Sequence, residues 1–404
     1  MNDISILPIP ESKYSNYRYN VIFNSYKWDP QVGDTNTVAD EVAVIIPDAA
    51  KKLAQWAEEL SMEVMLLEKA LINKPSLYKK LGLPSAIYKS LKLAANYNEK
   101  DHVRLMRFDF HPTKDGWVIS EVNSDVPGGL SEASLLPKLA CELFKDVNVF
   151  GNVGDSLYNA FVPLLNSNGR IAFIHATSYS DDRQVMEFLS DHFKKCGFES
   201  LLIAPDHIRW NKDEAFCIVD GQKGKVDGLI RFYPGEWLYQ LPRSSGWKGY
   251  FSTSTPSCNH PIALLAQSKR LPLIWNELDV PLKTWHKLLP ETKDIRQINI
   301  EDEKWILKPA LGRVGEDITI REVITKNDWT RIAKSAKMFP KEWVAQRRFE
   351  SFPLKSSKGE RHLCIGVFTV QGKASGFYGR ISSFPRIDHK AQDIAVLVSN
   401  KEEI

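Results

Sequence analysis

The sequence lacks the cysteine pattern of a disulfide framework or a zinc site. Its five cysteines lie far apart, and no two of them form a CxxC pair. Structural zinc sites and small secreted scaffolds use paired or closely spaced cysteines. We therefore expect reduced thiols and a cytoplasmic protein.

Long apolar runs and a strong charge of one sign are also absent. No stretch approaches the roughly 18 consecutive apolar residues of a membrane-spanning helix, and the first residues show no basic segment followed by an apolar one. The 53 basic and 50 acidic side chains leave a net charge of only +3. So small a charge favours neither nucleic acid nor an anionic membrane surface as a partner. The sequence leaves the oligomeric state open.

Several catalytic motifs are missing. The sequence has no P-loop pattern GxxxxGK[ST], no glycine fingerprint that opens a helix, no GxSxG and no HExxH. P-loop, dinucleotide-binding, serine-hydrolase and zincin sites are therefore not indicated.

The chain is long enough for two or three structural units. Apolar residues at helical spacing predict a helix over 48–74, whereas residues 1–45 show no clean period and are predicted to be irregular. Alternating strand and helix patterns over 169–233 predict a small unit with a parallel sheet. Further on, LPLIWN is predicted to be a strand.

Two predicted strands carry the first candidate site. Arg107 and Asp109 alternate along one strand, and Glu121 and Asn123 alternate along the next, after the turn PTKDG. In a hairpin these side chains can share one face. Carboxylate and amide oxygens suit Mg²⁺, and arginine binds phosphate in a bidentate manner. A solvent-exposed polar face of the hairpin is the alternative.

A lysine and a glycine loop form the second candidate. Lys308 ends a predicted strand, and Gly312 and Gly315 follow, with Arg313 between them. Glycines let backbone amides approach a phosphate closely, and the lysine supplies a point charge. A simple hairpin turn would show the same pattern.

Three single residues could belong to the same site. Lys269 is a possible second cation for a nucleotide, Gln346 could contact an adenine edge, and Arg380 could reach a phosphate. Taken singly, each is better explained as an exposed surface residue, because most such side chains are exposed. His111 lies two residues after Asp109 and is predicted to be structural.

Taken in order, these motifs resemble the synthetase domain of the glutathionylspermidine synthase family, in its stand-alone form. An R-x-D strand precedes E-x-N by twelve residues, and a K-P-x-x-G-R-x-G segment, a strand glutamine and a G-x-x-x-R end follow. The resemblance covers roughly residues 15–400, and its weakest match is SYKWDPQ. The loop SDVPGG and the segment after Arg380 depart from the family pattern.

The resemblance implies an α/β fold of the ATP-grasp type in circularly permuted order, with a small Rossmann-like pre-ATP-grasp unit. It implies three regions: residues 1–165 with the metal-ligand hairpin, an inserted substrate-side unit over 166–265, and a lid and nucleotide-binding part over 266–404. Because the matching region starts near residue 15, we expect no amidase domain and no amidase activity.

The resemblance also implies ATP and Mg²⁺ (two ions) as cofactors, and a carboxylate and an amine as substrates, joined through an acyl phosphate. The implied metal ligands are Asp109, Glu121 and Asn123, and Arg107 and Arg380 would contact the transferred phosphoryl group. The implied nucleotide contacts are Lys269, Lys308, Gly312, Arg313, Gly315 and Gln346. The alternatives are a nucleotide-binding protein without catalysis, a phosphotransferase of the same fold, and a peptide-binding module.

Overall fold

The computed structural model describes residues 3–165, 168–312 and 325–402. Its α-helices are α1 (Glu11–Asn24), α2 (Pro47–Ile72), α3 (Ser85–Ser90), α4 (Leu130–Cys141), α5 (Val153–Phe161), α6 (Ser180–Lys195), α7 (Leu264–Gln267), α8 (Lys283–Leu288) and α9 (Lys326–Met338). Its strands are β1 (Ile4–Pro8), β2 (Gln31–Val32), β3 (Thr35–Asn36), β4 (Val38–Ile45), β5 (Leu105–Thr113), β6 (Gly116–Asn123), β7 (Val147–Asn148), β8 (Arg170–Ile174), β9 (Glu199–Ile203), β10 (Ile208–Asn211), β11 (Glu214–Cys217), β12 (Gly224–Lys225), β13 (Gly228–Arg231), β14 (Ser257–Cys258), β15 (Thr292–Lys293), β16 (Trp305–Pro309), β17 (Trp343–Arg347), β18 (Leu354–Ser356), β19 (Gly359–Val370), β20 (Lys373–Ser382) and β21 (Gln392–Ser399).

The largest sheet joins the two ends of the chain. Its strand order is β1-β4-β21-β20-β19-β5-β6, with β18 added at β19 and β7 at β21. The pair β4–β21 is parallel, and the other neighbours along this order are antiparallel. Within 266–404, strands β18 to β21 therefore belong to the large sheet, whereas β15, β17 and β16 form a small sheet of their own.

Helix α2 covers one face of the large sheet. Its apolar stripe includes Leu53, Leu60 and Val64, which are fully buried in one core with Phe108 and Phe110 of β5. Side chains alternate between the two faces of a strand, so Asp109, between these phenylalanines, points to the opposite face. Helices α4 and α5 pack against that opposite face at β19, β20 and β21.

The unit predicted over 169–233 has the expected parallel sheet. Its order is β14-β13-β8-β9, and every neighbouring pair is parallel. Helix α6 connects β8 to β9 and packs Leu189 and Phe193 against Phe173. Within the described residues, no helix has the length and apolar character that crossing a membrane requires.

Two local predictions are wrong. Residues 1–45 are not irregular, because β1, α1 and β4 lie there; α1 buries only Tyr17 and Val21, which explains its weak periodic signal. LPLIWN is not a strand but contributes to two short 3₁₀ helices, Leu271–Leu273 and Trp275–Glu277. Pro272 has no N–H for a sheet ladder, whereas it suits the start of a helical turn.

A buried histidine pair leads to a prediction about acid stability. The rings of His102 and His260 lie 4.9 Å apart, and both are buried. Each Nδ1 accepts a main-chain N–H, from Ser257 at 3.2 Å and from Ile262 at 3.1 Å. Burial lowers the pKa of His102 to about 4. Burial, with the neighbouring His102 and Arg231, holds the pKa of His260 well below its usual range.

We expect unfolding free energy to fall as the pH drops from about 6.5 towards 4. Both histidines are neutral in the folded protein, whereas the unfolded chain protonates them near pH 6.5. Each contributes up to about 1.4 kcal/mol per pH unit within this window. Urea unfolding at several pH values measures the slope. His102→Gln should flatten it, the exposed His286→Gln should not, and a flat wild-type profile would contradict the account.

Candidate active site

A cavity of about 920 Å³ opens on the face of the large sheet opposite α2. It brings together seven side chains and backbone positions that the sequence singles out. The seven are Arg107, Asp109, Glu121, Asn123, Lys308, Gly312 and Arg380. Cavities of this size are typical of sites for small molecules.

The predicted hairpin of β5 and β6 forms part of the cavity wall. Arg107 lies opposite Asn123, and Phe108 lies opposite Val122. The register shifts before the next pair, Phe110 and Ile119, so that Asp109 lies opposite both Ser120 and Glu121. Such a bulge turns two successive side chains towards one side, and both Ser120 and Glu121 line the cavity.

Arg107 and Asp109 form a two-point ion pair. Arg107 Nε donates to Asp109 Oδ1 at 2.7 Å, and Nη2 donates to Oδ2 at 2.9 Å. Arg107 Nη1 also donates to the backbone oxygen of Gly128 at 2.6 Å. Asn123 Nδ2 donates to Asp109 Oδ2 at 3.1 Å. The hairpin therefore presents its carboxylate and guanidinium as one fixed unit.

The two lysines reach the hairpin from a distant part of the chain. Lys269 Nζ lies 3.0 Å from Glu121 Oε2 and donates to the backbone oxygen of Gly312 at 2.6 Å. Lys308 Nζ is buried and donates to the backbone oxygen of Ser120 at 2.9 Å. Both cations thus lie against the same strand, β6.

The charged groups of this cluster shift one another's pKa values. Burial raises the pKa of Glu121, but Lys269 and Lys308 outweigh it and bring the pKa to about 2. Burial lowers the pKa of Lys308 to about 8, although Glu121 and Asp109 oppose this. Glu121 is therefore an anion and Lys308 largely a cation at neutral pH. The cluster suits a ligand that carries both negative groups and a metal ion.

The remaining predicted residues do not all line the cavity. Arg380 lines the cavity, where its Nη2 donates to the backbone oxygens of Asp388 at 2.6 Å and Ala391 at 3.2 Å. Gln346 lies on β17 outside the cavity lining, and its Nε2 donates to Thr292 Oγ1 at 3.4 Å. Its buried Oε1 has no hydrogen-bond partner among the described residues. Arg313 and Gly315 lie outside the described residues.

His111 lines the same cavity, beyond its predicted structural role. Its Nε2 lies 3.1 Å from Ser120 Oγ, and its ring centroid lies 5.1 Å from that of Phe349. Burial lowers the pKa of His111 to about 4. The ring is therefore neutral at physiological pH and can exchange a hydrogen bond without adding charge.

Sequence reasoning missed a second buried charge cluster in the cavity wall. Lys27 Nζ lies 2.7 Å from Asp393 Oδ2 and 3.0 Å from Glu132 Oε1. Tyr378 Oη donates to Asp393 Oδ1 at 2.6 Å. Lys27 lies in the weakly matching segment SYKWDPQ, and Tyr378 lies two residues before Arg380. Side chains two apart on a strand share a face. The spacing of Tyr378 and Arg380 was therefore the signal in the sequence that pointed to this cluster.

The donor set can be tested against magnesium. Among the described residues, Asp109 Oδ1 accepts one hydrogen bond, from Arg107 Nε, and keeps a lone pair. Asn123 Oδ1 and the carboxylate of Glu121 are further oxygen acceptors. Across the described ranges, no three His, Cys, Asp or Glu side chains are grouped for a metal ion. The set therefore fits a magnesium ion that takes its other oxygens from phosphate and water, as Mg²⁺ commonly does.

Two solved structures are similar to this chain over most of its length. Among solved structures, the apo form of a glutathione synthetase-like effector from Globodera pallida is similar over 96% of this chain and 98% of that chain, with a TM-score of 0.60 and 13% identity. A putative gamma-glutamylcysteine synthetase from Methylobacillus flagellatus KT covers 82% of this chain and 85% of that chain, with a TM-score of 0.42 and 11% identity. No curated protein matches the chain.

At this identity the Globodera likeness supports the fold alone, and the predicted mixed α/β fold of the ATP-grasp type is confirmed. The family assignment comes from the sequence. A family model described as glutathionylspermidine synthase pre-ATP-grasp matches residues 12–395, which is nearly the whole chain. The chain therefore belongs to the glutathionylspermidine synthase family.

Proposed function

We propose that the protein is an ATP-dependent ligase that joins a carboxylate to an amine as an amide or peptide bond. ADP and phosphate are the other products. One observation carries the proposal: two lysines distant in the chain from the β5–β6 hairpin meet its strand β6. Lys308 lines the cavity and contacts the backbone of Ser120, and Lys269 pairs with Glu121, which lines the cavity too. Family membership supports the same activity.

In this proposal, Asp109, Glu121 and Asn123 hold Mg²⁺ on the phosphates of ATP. Bound Mg²⁺ supplies charge neutralisation on the phosphate oxygens. Lys269, Lys308 and Gly312 contact the phosphates, and the predicted contacts of Arg313 and Gly315 lie outside the described residues. Gln346 offers its buried Oε1, which has no hydrogen-bond partner within the described ranges, to the adenine amino group.

The proposed reaction has two steps. A carboxylate oxygen of the substrate attacks the γ-phosphorus, the bond to the ADP oxygen breaks, and an acyl phosphate forms. The amine nitrogen then attacks the acyl carbon, phosphate leaves with the bonding electrons, and the nitrogen loses a proton. Arg107 and Arg380 stabilise the negative charge on the transferred group.

Substrates enter, in this proposal, from the side of the small parallel sheet. Phe232 and Trp237 follow its strand β13 and line the cavity together with Asp29 and Asp181. Ligands commonly bind at the carboxyl ends of parallel strands. We therefore assign residues 166–265 to the acid and amine, and the β15–β17 region to the nucleotide. The five unpaired cysteines are compatible with a cytoplasmic location.

Isotope transfer tests the proposed reaction. Candidate acids and amines are screened for ADP release, and the active acid is then labelled with ¹⁸O in its carboxylate. We expect one labelled oxygen in the released phosphate, because the acyl phosphate gives up that oxygen when the amine attacks. The measurement is mass spectrometry of phosphate and of the amide product.

The same experiment separates the alternatives. A phosphotransferase would leave the phosphoryl group on the substrate, and a nucleotide-binding protein without catalysis would release no ADP with any pair. Asp109→Asn is the matched inactive control. Unlabelled phosphate released together with an amide product would contradict the acyl phosphate route.

A further inference from the structure

The side chain of Arg107 is tightly enclosed, and its guanidinium is only partly used by bonds within the protein. Its guanidinium carries five N–H groups, and the ion pair with Asp109 and the bond to Gly128 use three of them. Within the described part of the chain, two N–H groups therefore remain for a ligand in the cavity. Their direction depends on the plane in which the guanidinium is held.

Tyr378 fixes that plane from one side. The Arg107 Cζ atom lies 5.0 Å from the centroid of the Tyr378 ring, which is a cation–π distance. Gly129 packs so closely against the ring that a Cβ atom there would lie 2.9 Å from it. The φ angle of Gly129 is +86°, a conformation that suits glycine. A side chain at position 129 would therefore displace the ring.

Gly366 fixes the arginine from the sheet. It lies between Asp109 of β5 and Tyr378 of β20 in the strand register. A Cβ atom at Gly366 would lie 2.7 Å from Arg107 Cδ and 3.0 Å from Nε. The aliphatic part of the Arg107 side chain therefore packs directly against the backbone of Gly366. It occupies the space that a side chain at position 366 would fill.

Asp393 and Lys27 hold the tyrosine in turn. Tyr378 Oη donates to Asp393, whose other oxygen pairs with Lys27, a lysine whose side chain is 12% exposed. Burial disfavours the charge on Lys27, but Asp393 and Glu132 raise its pKa well above the ordinary value. Ser131 Oγ completes the cluster by donating to Glu132 at 2.8 Å.

We propose that Gly366 and Tyr378 are positioning residues for Arg107, and that Asp393 and Lys27 keep Tyr378 in place. The inference rests on the proposed function, in which Arg107 contacts the transferred phosphoryl group. A fixed arginine needs less reorganisation when charge develops on that group. A displaced arginine would lose this advantage while the rest of the nucleotide site stays intact.

The test compares two nucleotides by titration calorimetry. The non-hydrolysable ATP analogue AMPPNP with Mg²⁺ carries a γ-phosphoryl group, and ADP with Mg²⁺ does not. The ratio of their dissociation constants therefore reports contacts to the γ-phosphoryl group. Arg107→Met gives the full loss of the arginine, and the exposed Tyr19→Leu is the control for tyrosine replacement.

Wild type should bind AMPPNP more tightly than ADP, and Arg107→Met should remove most of that preference. We expect Tyr378→Leu to reduce the preference roughly tenfold, as the loss of a desolvated cation–π contact would. Gly366→Ala should reduce it by at least roughly tenfold, because the arginine must move. Tyr378→Phe keeps the ring and should lose roughly threefold through its missing hydrogen bond.

A purely structural role would weaken both nucleotides equally and leave the ratio unchanged. If Tyr378→Phe, Tyr378→Leu and Gly366→Ala keep the wild-type ratio while Arg107→Met loses it, the positioning proposal is overturned and the proposed function stands. If wild type binds neither nucleotide, or Arg107→Met keeps the ratio, the role of Arg107 in the proposed function fails, and the positioning proposal fails with it.

Discussion

Replacing Lys308 by methionine is expected to weaken Mg-ATP binding and to reduce turnover by roughly 10²- to 10³-fold. The Nζ atom of Lys308 donates to the backbone oxygen of Ser120 beside Glu121, where it would meet the phosphates. Methionine has a similar length and suits a buried position. The fold should therefore survive, and the loss should appear in calorimetric binding and in the rate of ADP release.

Lys304→Met is the matched control. Lys304 lies on the same segment but is exposed, so its replacement should change neither binding nor turnover. A Lys308→Met variant with wild-type affinity and rate would remove Lys308 from the site. Circular dichroism of both variants excludes unfolding as the cause of any loss.

Asp125→Ala is expected to lower the unfolding free energy by about 3–5 kcal/mol, the largest stability change in this account. Asp125 and Arg231 form an ion pair whose side chains are 0% and 2% exposed. Asp125 Oδ2 also accepts the backbone N–H of Gly235 at 2.8 Å. Removing the carboxylate leaves the guanidinium charge buried, and its remaining hydrogen-bond acceptors among the described residues are the backbone oxygens of Tyr233 and Asn259.

Urea unfolding at pH 7 measures this loss. Asp220→Ala provides the control, because the ion pair between Asp220 and Lys223 is largely exposed and should contribute less than about 1 kcal/mol. Equal stabilities of the two variants would contradict the importance of the buried pair. Asp125 lies two residues after the end of β6 at Asn123, so its ion pair also connects the β5–β6 hairpin to strand β13.

The sequence was most informative where one period dominates. The apolar stripe of α2 predicts a helix over 48–74, against the observed Pro47–Ile72. The alternating polar residues of β5 and β6 predict a hairpin that gathers Arg107 and Asp109 with Glu121 and Asn123. Both predictions depend on the spacing of residues within one segment of the chain, which is independent of contacts with the rest of the fold.

What the sequence could not show depends on contacts between distant strands. The bulge opposite Asp109 turns both Ser120 and Glu121 into the cavity, and no residue type signals it. Gly366 is one glycine among 22, and its role follows only from the stem of Arg107 lying on it. Lys27, between α1 and β2, pairs with Asp393 of β21 near the other end of the chain.

The roles of the candidate site residues stay predictions until a nucleotide is bound. The most direct test is thermal unfolding of wild type and Asp109→Asn with and without Mg-ATP. A ligand at 100 times its dissociation constant stabilises a protein by about 2.7 kcal/mol. For a chain of this size, each kcal/mol raises the midpoint of thermal unfolding by about 2–4 °C at most.

We expect a rise in the midpoint of wild type that requires Mg²⁺ and is lost or reduced in Asp109→Asn. That result would support a nucleotide in the cavity, with the hairpin carboxylate at its metal ion. No rise at millimolar Mg-ATP in wild type, or an equal rise in both proteins, would contradict the central claim.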